Sequence, residues 1–185
     1  MYSSKINVSD YLDFNMAYNK AMNLLNDKKQ QTIGLYILVS IYTGLRTSDM
    51  QNLEWDDICS DSLRIREIKT GKVRDIKINN IVSDVSKKLR NGREGKVFIS
   101  QKGSVYTTQA LNRILKKVFY KESKKGNIST HSLRKTFGRR VYDMNNQSDH
   151  ALLLLSEAFS HSNTQITRIY LGLRKEEIES IYINL

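Results

Sequence analysis

The segment His131-Ser-Leu-Arg134 places two side chains that suit a phosphate group three residues apart. On a helix, residues at this spacing project from the same side, so both can reach one anion. Histidine transfers protons near neutral pH, and arginine offers a planar fork of donors that matches phosphate oxygens. The pattern occurs by chance in many helices, so its meaning depends on the motifs that accompany it.

Two further motifs accompany this pair, one on each side of it in the chain. Upstream stands Thr43-Gly-Leu-Arg-Thr-Ser-Asp49, and downstream stands Phe159-Ser-His-Ser-Asn-Thr-Gln-Ile-Thr-Arg-Ile-Tyr170. With these motifs in this order, the sequence resembles the tyrosine recombinase (phage integrase) family. The catalytic domain of that family carries an arginine after a buried helix, a lysine in a β-hairpin, a His-x-x-Arg helix, and a histidine or tryptophan shortly before a nucleophilic tyrosine. The resemblance covers residues 33–172.

The resemblance implies metal-free transesterification at a DNA phosphodiester, through a 3′-phosphotyrosyl intermediate. A tyrosine hydroxyl has a pKa of about 10, so the attack needs a group that accepts its proton or stabilises the phenolate. Two guanidinium groups can stabilise the charge that builds on the non-bridging phosphate oxygens. The implied catalytic residues are Arg46, Lys69, His131, Arg134, His161 and Tyr170.

The resemblance also gives each of these residues a role. Tyr170 is the nucleophile, and the two arginines are the phosphate ligands. Lys69 protonates the leaving 5′-oxygen; Lys72, on the same turn, is the alternative for this role and a candidate contact to a backbone phosphate. His131 is the general base or acid partner, and His161 donates to a phosphate oxygen.

Asp49 and Lys135 are predicted to support the site. Asp49 follows Arg46 by three residues and is predicted either to brace the active-site residues or to stabilise the start of a short helix. Lys135 stands where the family often has a second histidine, and we predict that it contacts a DNA phosphate. Ser160 replaces the glycine that commonly precedes the late histidine in the family, which affects the expected backbone geometry at this point.

Composition narrows the class of protein and its partners. The three histidines show no paired metal-ligand spacing and no glycine-rich phosphate loop is present, so we expect neither a metal ion nor ATP as cofactor. A formal charge of +11 favours double-stranded DNA as the partner. The lone cysteine, Cys59, fits a reducing compartment. With no signal peptide and no membrane span in the sequence, we expect a cytoplasmic protein that is bacterial or phage-encoded.

The hydrophobic pattern predicts the elements that position these residues. An amphipathic helix is predicted over residues 9–28 with Ser9 as its N-cap, and a helix buried on all sides over residues 32–43, ended by Gly44. A Thr70-Gly71 turn is predicted to join strands at residues 62–68 and 73–78. The remaining predictions are a helical turn at 47–53, a third short strand at 97–100, and helices at 107–122, 132–145, 149–159, around Tyr170, and at the C-terminal end.

These elements predict a mainly helical α+β domain with one small antiparallel sheet, resembling the tyrosine recombinase catalytic domain. The chain has no proline, no low-complexity linker and no repeat, which indicates one unit over residues 1–185. Arg46 comes too early for the N-terminal core-binding domain that family members usually carry, so we expect that domain to be absent from this chain. The chain is then either an excised catalytic domain or a naturally small recombinase.

The resemblance implies site-specific DNA recombination, with a tetramer on paired DNA sites whose protomers are monomers when free. A DNA-binding regulator that has lost cleavage is an alternative from another class, but it would need no tyrosine at this spacing. Relaxation of DNA by a type IB topoisomerase uses similar chemistry in a monomer and is a nearer alternative. The amphipathic end, residues 174–185, is predicted either to reach a neighbouring protomer or to pack on its own core.

Overall fold

The computed structural model describes residues 9–122 and 127–184 of the chain. In this part of the chain, the two strands form one antiparallel sheet and the other elements are helices, which confirms the mainly helical α+β fold. The expectation of no signal peptide concerns residues 1–8, which lie outside the described residues. The elements are α1 (Phe14–Leu25), α2 (Gln31–Thr43), α3 (Thr47–Met50), α4 (Trp55–Cys59), β1 (Ser62–Arg66), β2 (Val73–Lys77), α5 (Asn80–Arg90), α6 (Thr108–Val118), α7 (Thr130–Met144), α8 (Asp149–Ala158), α9 (Thr164–Leu171) and α10 (Leu173–Ile183).

Helix α2 is the centre of the larger hydrophobic core, as its sequence predicts. It contacts α1, α5 and α7, and nearly all of its side chains are buried. Gly44 ends it with a φ of 61°, in the left-handed region that glycine adopts without strain. A Cβ on Gly44 would lie 2.3 Å from Cδ1 of Phe137, so α7 also requires a glycine at this point. The segment that follows, with Arg46, therefore starts from a fixed position.

The predicted β-hairpin is present. Strand β1 pairs antiparallel with β2, and Leu63 lies opposite Ile76. In the turn between them, Gly71 has a φ of 69°, and its amide donates to the carbonyl of Glu67. Leu63 is buried under the hairpin while the turn is exposed, so the hairpin is anchored by one face and presents its tip at the surface.

The predicted start of the first helix is wrong. Helix α1 begins at Phe14, and its N-cap is Asp13, whose side chain accepts from the amide of Met16. The residues before Asp13 lie against α7 instead: the amide of Leu12 donates to Oγ1 of Thr136 over 2.9 Å. This long-range contact competes with a helical first turn at Ser9 and prevails over it.

The predicted third strand is also wrong, and two helices are absent from the prediction. Residues 96–99 form only isolated bridges, one with Glu54 and one with Val105, and do not join the hairpin. The amide of Val97 donates to the carbonyl of Leu53, and the Val97 side chain is buried in the main core. Helix α4 has only five residues, too few for a periodic pattern. Helix α5 does show helical spacing, at Val82, Val85 and Leu89, which the prediction did not use.

A second, smaller hydrophobic cluster lies beside the main core and brings the late motifs together. Helices α7, α8, α9 and α10 form it, with Phe137, Val141 and Tyr170 packed against its edge. Helix α7 contacts both α2 and α8 and contributes to both clusters, with Leu133 in the main core and Tyr142 in the second cluster. The buried members of the second cluster are Tyr142, Ala151, Leu152, Leu155, Phe159, Leu171 and Leu173.

No helix among the described residues combines the length and apolarity needed to cross a bilayer.

Candidate active site

Arg46 and Arg134 meet at one backbone carbonyl. Arg46 precedes α3, and its Nη2 donates to the carbonyl oxygen of Phe159 over 2.7 Å. Arg134 lies in the second turn of α7, and its Nη2 donates to the same oxygen over 3.1 Å. The Nη1 of Arg134 donates to the carbonyl of Gly44. The structure therefore brings these two guanidinium groups side by side, as a phosphate clamp requires.

Arg134 is held in this position by burial as well as by hydrogen bonds. Only 4% of the residue is exposed, and its guanidinium lies 4.3 Å from the centroid of the Phe159 ring. Burial lowers the pKa of Arg134 to about 10, and the nearby Tyr170 opposes that shift. The side chain therefore remains charged at neutral pH.

His161 lies in the turn between α8 and α9, next to the arginines. Its Nδ1 is 2.9 Å from Oγ1 of the buried Thr167, which fixes the ring and leaves Nε2 for other partners. Burial and then the charges of Arg134, Arg46 and Lys69 lower the pKa of His161 to about 4. The ring is therefore neutral at pH 7 and acts as a hydrogen-bonding group and not as a fixed cation.

His131 is the second residue of α7 and lies at the rim of the site. By surface area its side chain is exposed, but enough protein atoms surround the ring to disfavour its charged form. Partial burial and then the charge of Arg134 lower its pKa, with smaller effects of other cations that include Lys69 and Arg46. A predominantly neutral imidazole at the rim can accept a proton.

Lys69 is exposed in the turn of the hairpin. Its charge contributes to the lowered pKa of both His131 and His161, after burial and the charge of Arg134. Lys72, the alternative on the same turn, fixes the turn through its backbone: its amide donates to Oγ1 of Thr70. The electrostatic effect on both histidines agrees with the prediction of Lys69 as the lysine of the site, and Lys72 stays the alternative.

Asp49 joins α3 to the hairpin. Its Oδ1 accepts from the amide of Ile68 over 2.9 Å, directly before Lys69, and the residue is buried. It also lies in the first turn of α3, where a carboxylate is favourable. Both interpretations of Asp49 are thus compatible with its position, and the bond to the hairpin links it to the site.

Tyr170 lies in the last turn of α9, which ends at Gly172. Its ring packs edge-on against the rings of Phe159 and His161, with 5.4 Å between centroids in both cases. Its hydroxyl is buried, and no aligned hydrogen bond reaches it from the described residues. Burial raises the pKa of Tyr170, while the charges of Arg134 and Arg46 oppose the shift. Both guanidinium groups therefore act electrostatically on this phenol.

Lys135 does not have the surface position that a DNA phosphate contact needs. It is 5% exposed, and its Nζ donates to the carbonyl of Ser9 over 2.9 Å. The same Nζ lies 5.3 Å from the centroid of the Tyr170 ring. Since residues next to α1 and α9 cover this side chain, we withdraw the prediction that Lys135 contacts DNA.

Sequence reasoning missed two contributors to this site. Phe159 offers its carbonyl to both arginines, but a backbone acceptor leaves no signal in the sequence. Glu67 is a fully buried carboxylate 2.7 Å from Nη1 of Arg46, yet it was one of nineteen acidic residues with no motif to distinguish it. Ser160, which replaces a common glycine, was the available hint, because its hydroxyl donates to Glu67.

Comparison with known proteins supports the resemblance to recombinases. The model of the phage integrase family matches residues 12–177. Tyrosine recombinase XerC of Pediococcus pentosaceus is 28% identical over 89% of this chain, and the match covers 60% of XerC. The probable integrase/recombinase YoeC of Bacillus subtilis is 29% identical over 86% of this chain and 86% of YoeC. The chain thus spans less than two thirds of the XerC length but most of the YoeC length.

A solved structure with the same fold is the integrase of transposon Tn1549 in complex with a circular intermediate DNA. It superposes with a TM-score of 0.68 over 97% of this chain and 68% of the integrase chain, at 19% sequence identity. At this identity the likeness concerns the fold, which is that of the catalytic region of such integrases.

Proposed function

Because this chain belongs to the phage integrase family, we propose that it breaks and rejoins DNA at specific sites by transesterification. The observation that carries the proposal is the convergence of Arg46 and Arg134 on the carbonyl of Phe159, whose ring packs against Tyr170. Two cations next to a phenol suit an anionic phosphodiester, whose charge increases in the transition state.

In the proposed reaction, the Tyr170 oxygen attacks phosphorus and a P–O bond forms to the phenol as the bond to the 5′-oxygen breaks. The phenol proton passes to His131, and Lys69 gives a proton to the leaving 5′-oxygen. Arg46, Arg134 and His161 hold the non-bridging oxygens. A 5′-hydroxyl of the same or another strand then attacks the phosphotyrosine, which restores the tyrosine and rejoins DNA. The reaction needs no cofactor, since the phosphotyrosine ester keeps the energy of the broken phosphodiester bond for the rejoining step.

Attack requires the Tyr170 hydroxyl to become accessible, because it is buried in this structure. The hydroxyl belongs to α9, a helix of eight residues, and we propose that α9 or the side chains around it are displaced. We therefore propose that DNA binding and exposure of Tyr170 occur together.

Double-stranded DNA is the proposed partner, and self-association accompanies the reaction. A formal charge of +11 favours DNA, and the similar transposon integrase was solved with DNA. Recombination of two sites needs four strand cleavages, so we propose a tetramer on paired sites that dissociates into monomers away from DNA. We propose that the protein is located in the cytoplasm. The chromosome lies there, and the reducing conditions keep Cys59 as a free thiol.

The test is the capture of a covalent complex. Nicked duplexes that tile the genomic DNA flanking the gene release the strand end after cleavage and trap the phosphotyrosine adduct. We expect the unaltered chain to form an adduct that Tyr170→Phe does not form, because the phenol oxygen is the nucleophile. The measurement is the amount of protein–DNA adduct on a denaturing gel.

Tyr182→Phe is the matched control, since it removes an exposed hydroxyl far along α10 and should leave the adduct unchanged. An adduct with Tyr170→Phe would mean that another residue is the nucleophile. Specific binding without an adduct by the unaltered chain would favour the non-cleaving regulator. Relaxation of plasmids that lack the site would favour topoisomerase-like activity.

A further inference from the structure

Glu67 is a buried carboxylate that no proposed reaction step uses. It directly follows β1, and none of its side chain is accessible to solvent. Nη1 of Arg46 lies 2.7 Å from Oε2, and Nη1 of Arg74 donates to Oε1 over 3.0 Å. The hydroxyl of Thr70 donates to Oε2 over 2.6 Å. A buried ion that is not satisfied in this way would cost several kcal/mol, so these contacts keep the carboxylate in place.

Ser160 provides a further donor, from the turn that carries His161. Its hydroxyl donates to Oε2 of Glu67 over 2.8 Å. Its φ of 53° lies in the left-handed region, which is strained for a residue other than glycine. A glycine would adopt this turn without strain but would lack the hydroxyl. The contact with Glu67 is therefore a reason for a serine at a position whose backbone suits glycine.

The contact between Glu67 and Arg46 lies on the interior side of the guanidinium. Nη1 of Arg46 is buried, and its contact with Glu67 is an ion pair without an aligned hydrogen bond. About one sixth of the Arg46 side chain is exposed, at 16%, so another edge remains for a ligand. Glu67 contacts the buried Nη1 of Arg46, so the exposed part of the side chain stays available to a phosphate.

We propose that Glu67 is a positioning residue that holds Arg46 and, through Ser160, the His161 turn in the geometry that phosphodiester attack requires. This inference rests on the proposed function, because it assigns Arg46 and His161 to the phosphate. Glu67 connects three separate parts of the chain: the hairpin turn with Lys69, the segment after α2, and the turn between α8 and α9.

The ionised state of Glu67 agrees with this role. Burial by itself raises the pKa of the carboxyl, but the hydrogen bonds from Thr70, Ser160 and Arg74, together with the nearby Arg46, outweigh it and hold the pKa at about 2. The carboxylate therefore keeps its charge at every pH at which the protein would work. Its amide isostere would keep the shape but lose the ion pairs.

The experiment compares Glu67→Gln and Ser160→Gly with the unaltered 185-residue chain, on the nicked duplex that traps the adduct. At saturating DNA we expect Glu67→Gln to form adduct about 100-fold more slowly, the loss typical of a misplaced catalytic group. Its Kd for the duplex should be unchanged or lower, because one negative charge is removed. For Ser160→Gly we expect about tenfold slower adduct formation with no loss of thermal stability, because a hydrogen bond to a charged group is lost while backbone strain is relieved.

Asp75→Asn is the matched control, an exposed carboxylate-to-amide change on the same hairpin that removes the same charge. It should leave the adduct rate unchanged, and its Kd should be unchanged or lower for the same reason as in Glu67→Gln. A wild-type adduct rate in Glu67→Gln would overturn the inference, and so would a parallel loss of rate and affinity, which indicates a merely structural role. If Glu67→Gln does not fold, Ser160→Gly decides in the same way.

A second measurement separates this inference from the proposed function. In the chain without DNA, NMR of the arginine side chains should show the Arg46 guanidinium protons protected from exchange, and about tenfold less protected in Glu67→Gln. If the unaltered chain forms no adduct, the proposed function fails, but this measurement still tests the positioning of Arg46. Equal protection in both proteins would overturn the role of Glu67.

Discussion

At the scale of residues, the turn at positions 159–161 connects the parts of the site. Phe159 gives its carbonyl to both arginines, Ser160 gives its hydroxyl to Glu67, and His161 faces the site with a fixed ring. Since three consecutive residues have these contacts, a displacement of the turn would alter the phosphate clamp and the histidine at once. The side chains of the site thus depend on each other, and their effects on the rate should not be additive.

The electrostatic influence of Lys69 on His161 can be tested by titration. We expect NMR of the His161 ring to give a pKa of about 4, and Lys69→Gln to raise it, because a nearby positive charge is removed. Lys72→Gln is the control and should leave the titration unchanged. A larger shift with Lys72→Gln would mean that Lys72 is the lysine of the site.

The same histidine should make stability depend on pH. Because the pKa of His161 in the folded chain lies below 6.5, protonation favours the unfolded chain, and the free energy of unfolding should fall as pH drops from 6.5 to about 4.

At the scale of elements, the close approach of α7 to α9 sets the position of Tyr170, the proposed nucleophile. Gly138 faces Leu171 and Phe159 where α7 crosses the second cluster: a Cβ there would lie 2.6 Å from Cδ2 of Leu171 and 2.9 Å from Cζ of Phe159. Leu171 follows Tyr170 directly in α9. A larger residue at position 138 therefore requires the side chain of Leu171 or the ring of Phe159 to shift, and Phe159 belongs to the turn that binds the arginines.

Gly138→Ala should destabilise the fold by about 1–3 kcal/mol through overpacking. It should also slow adduct formation, because Tyr170 is displaced. Leu171→Ala alone should cost about 2–5 kcal/mol, since it leaves a cavity. In the double variant the new methyl group occupies part of that cavity, so the loss should be smaller than the two single losses combined. Urea denaturation measures all three. Strictly additive losses would show that Gly138 and Leu171 are not in contact.

At the scale of the whole molecule, two surface features concern partners: the net positive charge and the exposed apolar residues of α10. Helix α10 is joined to α9 by an ion pair between Arg168 and Glu177, and Leu173 is buried. Farther along, Ile181 is 61% exposed and Tyr182 is 76% exposed. The helix thus packs on its own core at its start, while its end has apolar residues that a neighbouring protomer could cover.

Replacing the exposed residues of α10 tests the proposed self-association. The double variant Ile181→Gln, Ile183→Gln should keep the thermal stability of the monomer, since both side chains are exposed. It should reduce the fraction of DNA present as a complex with two paired sites, measured by native gel electrophoresis. Tyr120→Gln, an exposed aromatic residue outside α10, serves as the control. Unchanged assembly would exclude the end of α10 from the interface.

The sequence by itself determined the reactive residue types, their order and the main elements that hold them. The buried helix α2 with its glycine end, the hairpin and the His-x-x-Arg helix are encoded in local periodicity and turn residues, which act over a few positions. These local signals also located Arg46, Lys69 and Arg134 on elements that the tertiary structure then placed around one point.

Only the tertiary structure decided which groups complete the site and which are kept out of it. The roles of the Phe159 carbonyl and of Glu67 depend on contacts between residues far apart in the chain, and no local pattern encodes such contacts. The same reason explains Lys135, which reads as a surface cation but is covered by the segment before α1. Long-range packing determines the burial, and burial determines whether a charged group is available to a partner, supports an arginine as Glu67 does, or lies next to Tyr170 as Lys135 does.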